Sequence, residues 1–102
     1  MTDDVMRTAV FELLDHGFSL SVDHWDADDY ALDRCKDGDF TLRVLSDGHD
    51  ARLLARSGDV IKGWLHFIDG KVVDVTEALR EYIPETLALI ETREELERGT
   101  WG

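Results

Sequence analysis

Three groups of residues in this chain have types that could do chemistry. His24, Asp26 and Asp28 alternate along the sequence, and one imidazole with two carboxylates is a transition-metal ligand set in kind. A single histidine beside exposed acids reads more simply as solvated surface. His16, His24, His49 and His66 are scattered, with no pair at helical spacing. The aspartates also invite a calcium loop, which needs acids or amides at positions one, three and five, glycine at six and glutamate at twelve. A frame starting at Asp26 meets Asp28 but then Tyr30; one starting at Asp33 meets Asp37 and Gly38 but also Cys35 and Val44. Both fail. Cys35 is the only cysteine, so a thiolate–imidazole pair would have to be assembled by the fold, and no local signature supports one. A small filler residue is the expectation for it. No glycine-rich phosphate loop and no nucleophile elbow occurs. The chain is therefore expected to be no enzyme and to use no metal and no cofactor.

What remains is charge. There are 23 Asp and Glu against 11 Lys and Arg, a formal net charge of −12, and the acids are unevenly spread. Residues 23–39 hold seven acids against Arg34 and Lys36, a net −5. Residues 85–98 hold five acids against Arg93 and Arg98, a net −3, whereas residues 40–66 carry a net +1. Such a field repels nucleic acid and anionic membranes and attracts basic proteins. Carboxylates along a surface can take the place of phosphates in a basic groove, with arginine forks gripping them. Trp25 and Tyr30, set among the acids, have the type of interface anchors. The expected binding residues are Asp23, Trp25, Asp26, Asp28, Asp29, Tyr30 and Asp33. If the two acidic segments adjoin, they make one docking face; if they lie apart, the charge serves general solvation.

In general character (small, acidic, without a catalytic signature) the chain resembles anti-CRISPR and DNA-mimic inhibitors, a likeness of type that covers no aligned stretch. It implies a small acidic protein that occupies the basic, nucleic-acid-binding surface of a partner protein or nucleoprotein complex, without touching nucleic acid or membrane itself. An immunity protein or antitoxin shielding a basic toxin is the alternative. So is a salt-adapted domain: 15 Asp to 8 Glu and 8 Arg to 3 Lys is also how proteins of very salty cytoplasm look, where acidity maintains solubility.

The elements that must position these residues follow from periodicity. The 102 residues allow one domain, residues 1–102, and 43% hydrophobic content supports a core. The acidic N-terminus has no apolar run behind it, and no stretch approaches the ~18 apolar residues of a membrane span, so the cytoplasm is expected. Val5, Met6, Ala9, Val10, Leu13 and Leu14 predict a helix over about 3–16, capped by Thr2 or Asp3 and closed at Gly17. Phe18, Leu20 and Val22 alternate as in a half-buried strand. Residues 24–39 read two ways: Asp26-Ala27-Asp28-Asp29 could open a short helix through Cys35, or, as favoured, a loop at 24–29 leads into a hairpin of 30–36 with 39–46 around Asp37-Gly38. Strands follow at 51–56 and 60–69, with Val72-Val73 as a short edge strand and Trp64 and Phe67 on opposite faces, each of a type for the core. Asp74 with Glu77 reads as a capping box opening helices at about 75–82 and 84–98, separated by Pro84. Trp101 could fold back over the sheet. The order predicts an α+β domain: an N-terminal helix, an antiparallel β-meander of four to five strands, and C-terminal helices on one face. A homodimer through an edge strand is compatible with it.

Overall fold

The computed structural model describes residues 4–25 and 28–99. Helix α1 (Asp4–Asp15) is followed by strands β1 (Ser19–His24) and β2 (Leu32–Cys35), helix α2 (Gly38–Asp47), strands β3 (Asp50–Ser57), β4 (Val60–Ile68) and β5 (Lys71–Val75), a 3-10 helix (Glu77–Tyr82) and helix α3 (Pro84–Gly99). The class is the one the periodicity predicts, α+β with an antiparallel sheet.

Helix α1 forms because Val5, Met6, Ala9, Val10 and Leu13 fall on one stripe, and all five are buried. It ends where Gly17 adopts φ +86°, with Gly17 N–H bonded to Leu14 O at 2.9 Å and Phe18 N–H to Leu13 O at 3.3 Å. That two-bond pattern is a Schellman cap, and it requires a residue that tolerates the left-handed region. The N-cap positions Thr2 and Asp3 lie outside the described residues.

The sheet runs in the order β2-β1-β3-β4-β5, antiparallel throughout. Since β2 and β3 flank β1, the chain must cross over β1 between them, and α2 makes that crossing. Here the structure corrects the expected hairpin of 30–36 with 39–46. Residues 38–47 are helical and β2 pairs with β1 instead. Asp37 is a helix cap, its carboxylate accepting from Phe40 N–H at 3.1 Å, and Thr41, Leu42 and Leu45 are buried.

The helices cover one face of the sheet. Leu20 and Val22 of β1, Ala51, Leu53 and Ala55 of β3, and Leu65 and Phe67 of β4 join the stripe of α1, with Leu42 and Leu45 of α2, and Leu79 and Ile83, in one apolar cluster. Phe67 is thus core, and Trp64 is on the other face and half-buried. Gly63 sits where the 3-10 helix presses on β4. A Cβ there would lie 2.2 Å from Thr76 Oγ1 and 2.7 Å from Leu79 Cγ, so close packing excludes any larger residue.

The capping box at Asp74 is not formed. Asp74 stays in β5 opposite His66, and at the cap position the Thr76 hydroxyl oxygen accepts from Trp64 N–H at 3.0 Å. Pro84 does open a new helix, as its fixed φ and missing N–H favour. The first amides of α3 are satisfied from α1: the Glu12 carboxylate accepts from Glu85 N–H (3.0 Å), Thr86 N–H (2.6 Å) and the Thr86 hydroxyl (2.5 Å). A carboxylate at the positive end of a helix is favoured by the same dipole that aligns those amides. Trp101 lies outside the described residues. Among the described residues, no helix is long and apolar enough to cross a membrane.

Candidate interaction face

Strand alternation sends every second side chain of the sheet away from the helices. On β1 these are Ser21 and Asp23, alternating with the core residues Leu20 and Val22; on β3 they are Arg52, Leu54 and Arg56; on β4, Trp64 and His66. Register then fixes the neighbours. Asp23 lies opposite Arg52, Ser21 opposite Leu54, Leu54 opposite Trp64, and Arg52 opposite His66. Among the described residues, no helix covers this face.

Two arginines lie across it, each held between a carboxylate and an aromatic ring. Arg52 Nη2 donates to Asp23 Oδ2 at 2.5 Å, and its guanidinium stands 5.9 Å from the Trp64 ring centre. Arg56 is 2.9 Å from the Ser21 hydroxyl through Nε and 3.4 Å from Asp33 Oδ1, with its guanidinium 5.1 Å from the Tyr30 ring. The aliphatic stem of each arginine covers apolar sheet surface while the charge is shared with its acid and ring. Leu54, between them, is only 4% exposed although no helix packs on it.

Ser21 is the centre of the second group. Its hydroxyl donates to Asp33 Oδ1 (2.8 Å) and accepts from Arg56 Nε–H (2.9 Å) and Arg34 N–H (3.1 Å), which fills one donor and two acceptor sites. The Ser21 hydrogen bond, with Arg34 and Arg56 beside it, holds the Asp33 carboxyl below its ordinary value of 3.8, against the opposing effect of desolvation. Arg34 takes φ +49° within β2, where the pairing with β1 shifts register, and its Nη1 reaches Asp59 of the β3–β4 turn at 2.6 Å.

The residues expected to bind a partner therefore divide. Asp23 and Asp33 are engaged within the chain as counter-ions of Arg52, Arg56 and Arg34. Tyr30 is 42% exposed but stacked on Arg56. Trp25 is 76% exposed, and Asp28 and Asp29 are exposed with no ion-pair partner among the described residues. Asp26 lies outside the described residues. His24 turns its ring to the helices, with Nε2 3.0 Å from Val44 O. Cys35 sits half-buried at the end of β2, its sulfur accepting from Asp37 N–H at 3.3 Å.

Among the described residues, Leu32–Cys35 of the first acidic segment form the β2 edge of the sheet, whereas Leu87, Ile90 and Glu91 of α3 share a groove with Val72, Val73 and Val75 of β5, the opposite edge. The first segment is itself divided. Leu32 pairs with Val22 and Cys35 with Leu20, so Asp28 and Asp29 lie at the end of the sheet where β1 finishes, while Asp37 and Asp39 lie at the end where it starts. Among the described residues, Asp28 and Asp29 therefore share no strip with Glu91 of α3. The sequence pattern singles out none of Arg52, Arg56 and Ser21, and it gives Trp64 to the core, whereas Trp64 is half-buried on the open face. The alternation Arg52-Leu54-Arg56 was the available signal, since a strand that buries Ala51, Leu53 and Ala55 must present those three together.

Compared with known protein families, with curated proteins and with solved structures, the chain matches none.

Proposed function

We propose that this protein is a non-catalytic binding domain that occupies a basic surface of a partner protein, acting by steric and electrostatic blockade. In type this is a DNA-mimic or anti-CRISPR-like inhibitor. The observation that carries the reading is the β1–β2 connection: a tryptophan 76% exposed, next to Asp28 and Asp29, whose charges nothing in the described chain compensates. Large exposed aromatics flanked by charge are anchors in kind, and uncompensated acids steer a cationic partner. The docking site is accordingly narrower than the full set of acids. It comprises Trp25, Asp28, Asp29 and Tyr30, with Asp26 contributing from sequence, while Asp23 and Asp33 support the platform.

The test is a triple charge reversal, Asp26→Lys, Asp28→Lys and Asp29→Lys, used beside the wild type in pull-downs from the native host. The wild type is expected to retain a basic protein that the variant loses, with the Tm of the two nearly equal. A nucleic-acid-processing complex among the retained proteins fits the inhibitor, and a single small toxin fits the antitoxin alternative. Equal retention by both forms overturns this site.

A second reading, that the acidity serves solubility in high salt, is favoured by one specific observation. The acids are spread to both edges and both ends of the sheet.

A further inference from the structure

On the open sheet face, two arginines of β3 are each held between a carboxylate and an aromatic ring. One unit is Asp33–Arg56–Tyr30, the next is Asp23–Arg52–Trp64. The β1–β3 ladder continues by one more step, since Trp25 N–H bonds Asp50 O at 3.0 Å and so stands opposite Asp50. That step again has an aromatic ring, Trp25, and a carboxylate, Asp50. Asp50 Oδ1 is 2.5 Å from His66 Nε2, and its other oxygen has no partner among the described residues. Asp28 and Asp29 stand exposed at the same end of the sheet. Among the described residues, no arginine completes this unit and no cation stands on the Trp25 ring, although two other rings of this face carry one.

We infer that this uncovered end of the sheet face takes an arginine side chain from a basic partner, stacked on Trp25 and forked to the neighbouring carboxylates. The inference rests on the docking reading above and adds the chemical group recognised. Charge complementarity names the occupant: a chain of net charge −12 offers aromatic and carboxylate groups together, with no cation from the described residues on the Trp25 ring. Guanidinium is preferred over ammonium because it is planar, stacks on an indole and presents paired donors to a carboxylate, whereas a lysine ammonium is a compact and strongly hydrated point charge.

The experiment compares hexa-arginine and hexa-lysine peptides, titrated calorimetrically against the full chain and against Trp25→Ala and Trp25→Phe at fixed salt. The arginine peptide is expected to bind the wild type about tenfold more tightly than the lysine peptide, the size of a partly desolvated cation–π contact. Trp25→Ala removes that preference without changing the Tm, and Trp25→Phe keeps part of it. Equal affinity of the two peptides for the wild type overturns the arginine inference and leaves acidic docking standing. A preference that survives Trp25→Ala overturns it too, because the guanidinium is then read elsewhere. Failure of both peptides to bind overturns the docking reading together with the inference.

Discussion

Ser21 is a small residue with a large share of the open face. It is fully buried, and its hydroxyl is the contact through which Asp33, Arg56 and the left-handed Arg34 backbone are held together. Ser21→Ala leaves the buried Arg56 Nε–H with only the 3.4 Å approach of Asp33, and an under-satisfied buried donor costs about 1–3 kcal/mol. The same substitution removes the largest influence lowering the Asp33 pKa. Because the folded Asp33 titrates below its unfolded value of 3.8, its contribution to stability is complete above that pH and is lost as pH falls through the folded value. An NMR titration of the Asp33 carboxyl is expected to give a midpoint below 3.8 in the wild type and a higher one in Ser21→Ala. A wild-type midpoint at or above the ordinary value would show that the hydroxyl does not hold the carboxylate. None of this was legible in the sequence, where Ser21 is simply the polar member of an alternating strand. What makes it central is the register that sets β3 and β2 on either side of it.

At the scale of elements, α2 is where the linear pattern misleads. Phe40, Leu42 and Val44 alternate with Thr41 and Arg43, and Asp37-Gly38 precedes them, which together read as a turn and a strand. The residues facing inward are instead Gly38, Thr41, Leu42 and Leu45, the i, i+3, i+4, i+7 set of a helix, with Phe40 left 51% exposed. Two of those four are not apolar, which is why the helical period was hidden. Gly38 is there because α1 passes so close that a Cβ would lie 2.4 Å from the Phe11 ring. The elements with purely apolar stripes, α1, β1 and β4, were legible because hydrophobic burial alone places them. The helix assignment predicts that Asp37→Ala loses the cap to Phe40 N–H and costs about 1 kcal/mol, a fall in Tm of roughly 4–8 °C for a domain of this size. Asp37→Asn should keep most of that stability, since asparagine caps as well. Amide exchange is expected to accelerate at the start of α2 in the alanine variant and not in the sheet. An unchanged exchange pattern there would count against the cap.

For the whole molecule, the question is what holds together a chain of net charge −12. The acids nearest the sheet centre are compensated: Asp23 by Arg52, and Asp33 by Arg34 and Arg56. Those without an ion-pair partner among the described residues, such as Asp28, Asp29 and Asp39, are exposed at opposite ends of the sheet, where water screens them. The edges that could recruit a second copy are both irregular, with the left-handed Arg34 in β2 and a register shift in β5 beside Val73, and such bulges blunt strand-to-strand pairing. Stability should therefore come from the apolar cluster and the cross-braced face of a single copy, with self-repulsion a modest opposing influence. The expected outcome is a folded chain in dilute buffer whose Tm rises only a few degrees between low and molar salt, as screening shortens from about 10 Å at 0.1 M to about 3 Å at 1 M. Neutralising Asp28 and Asp29 to asparagine should leave that curve almost unchanged and weaken binding to the arginine peptide. A chain that unfolds when salt is withdrawn would transfer the explanation of its acidity from a partner to the solvent, because a docking surface has to exist before the partner arrives.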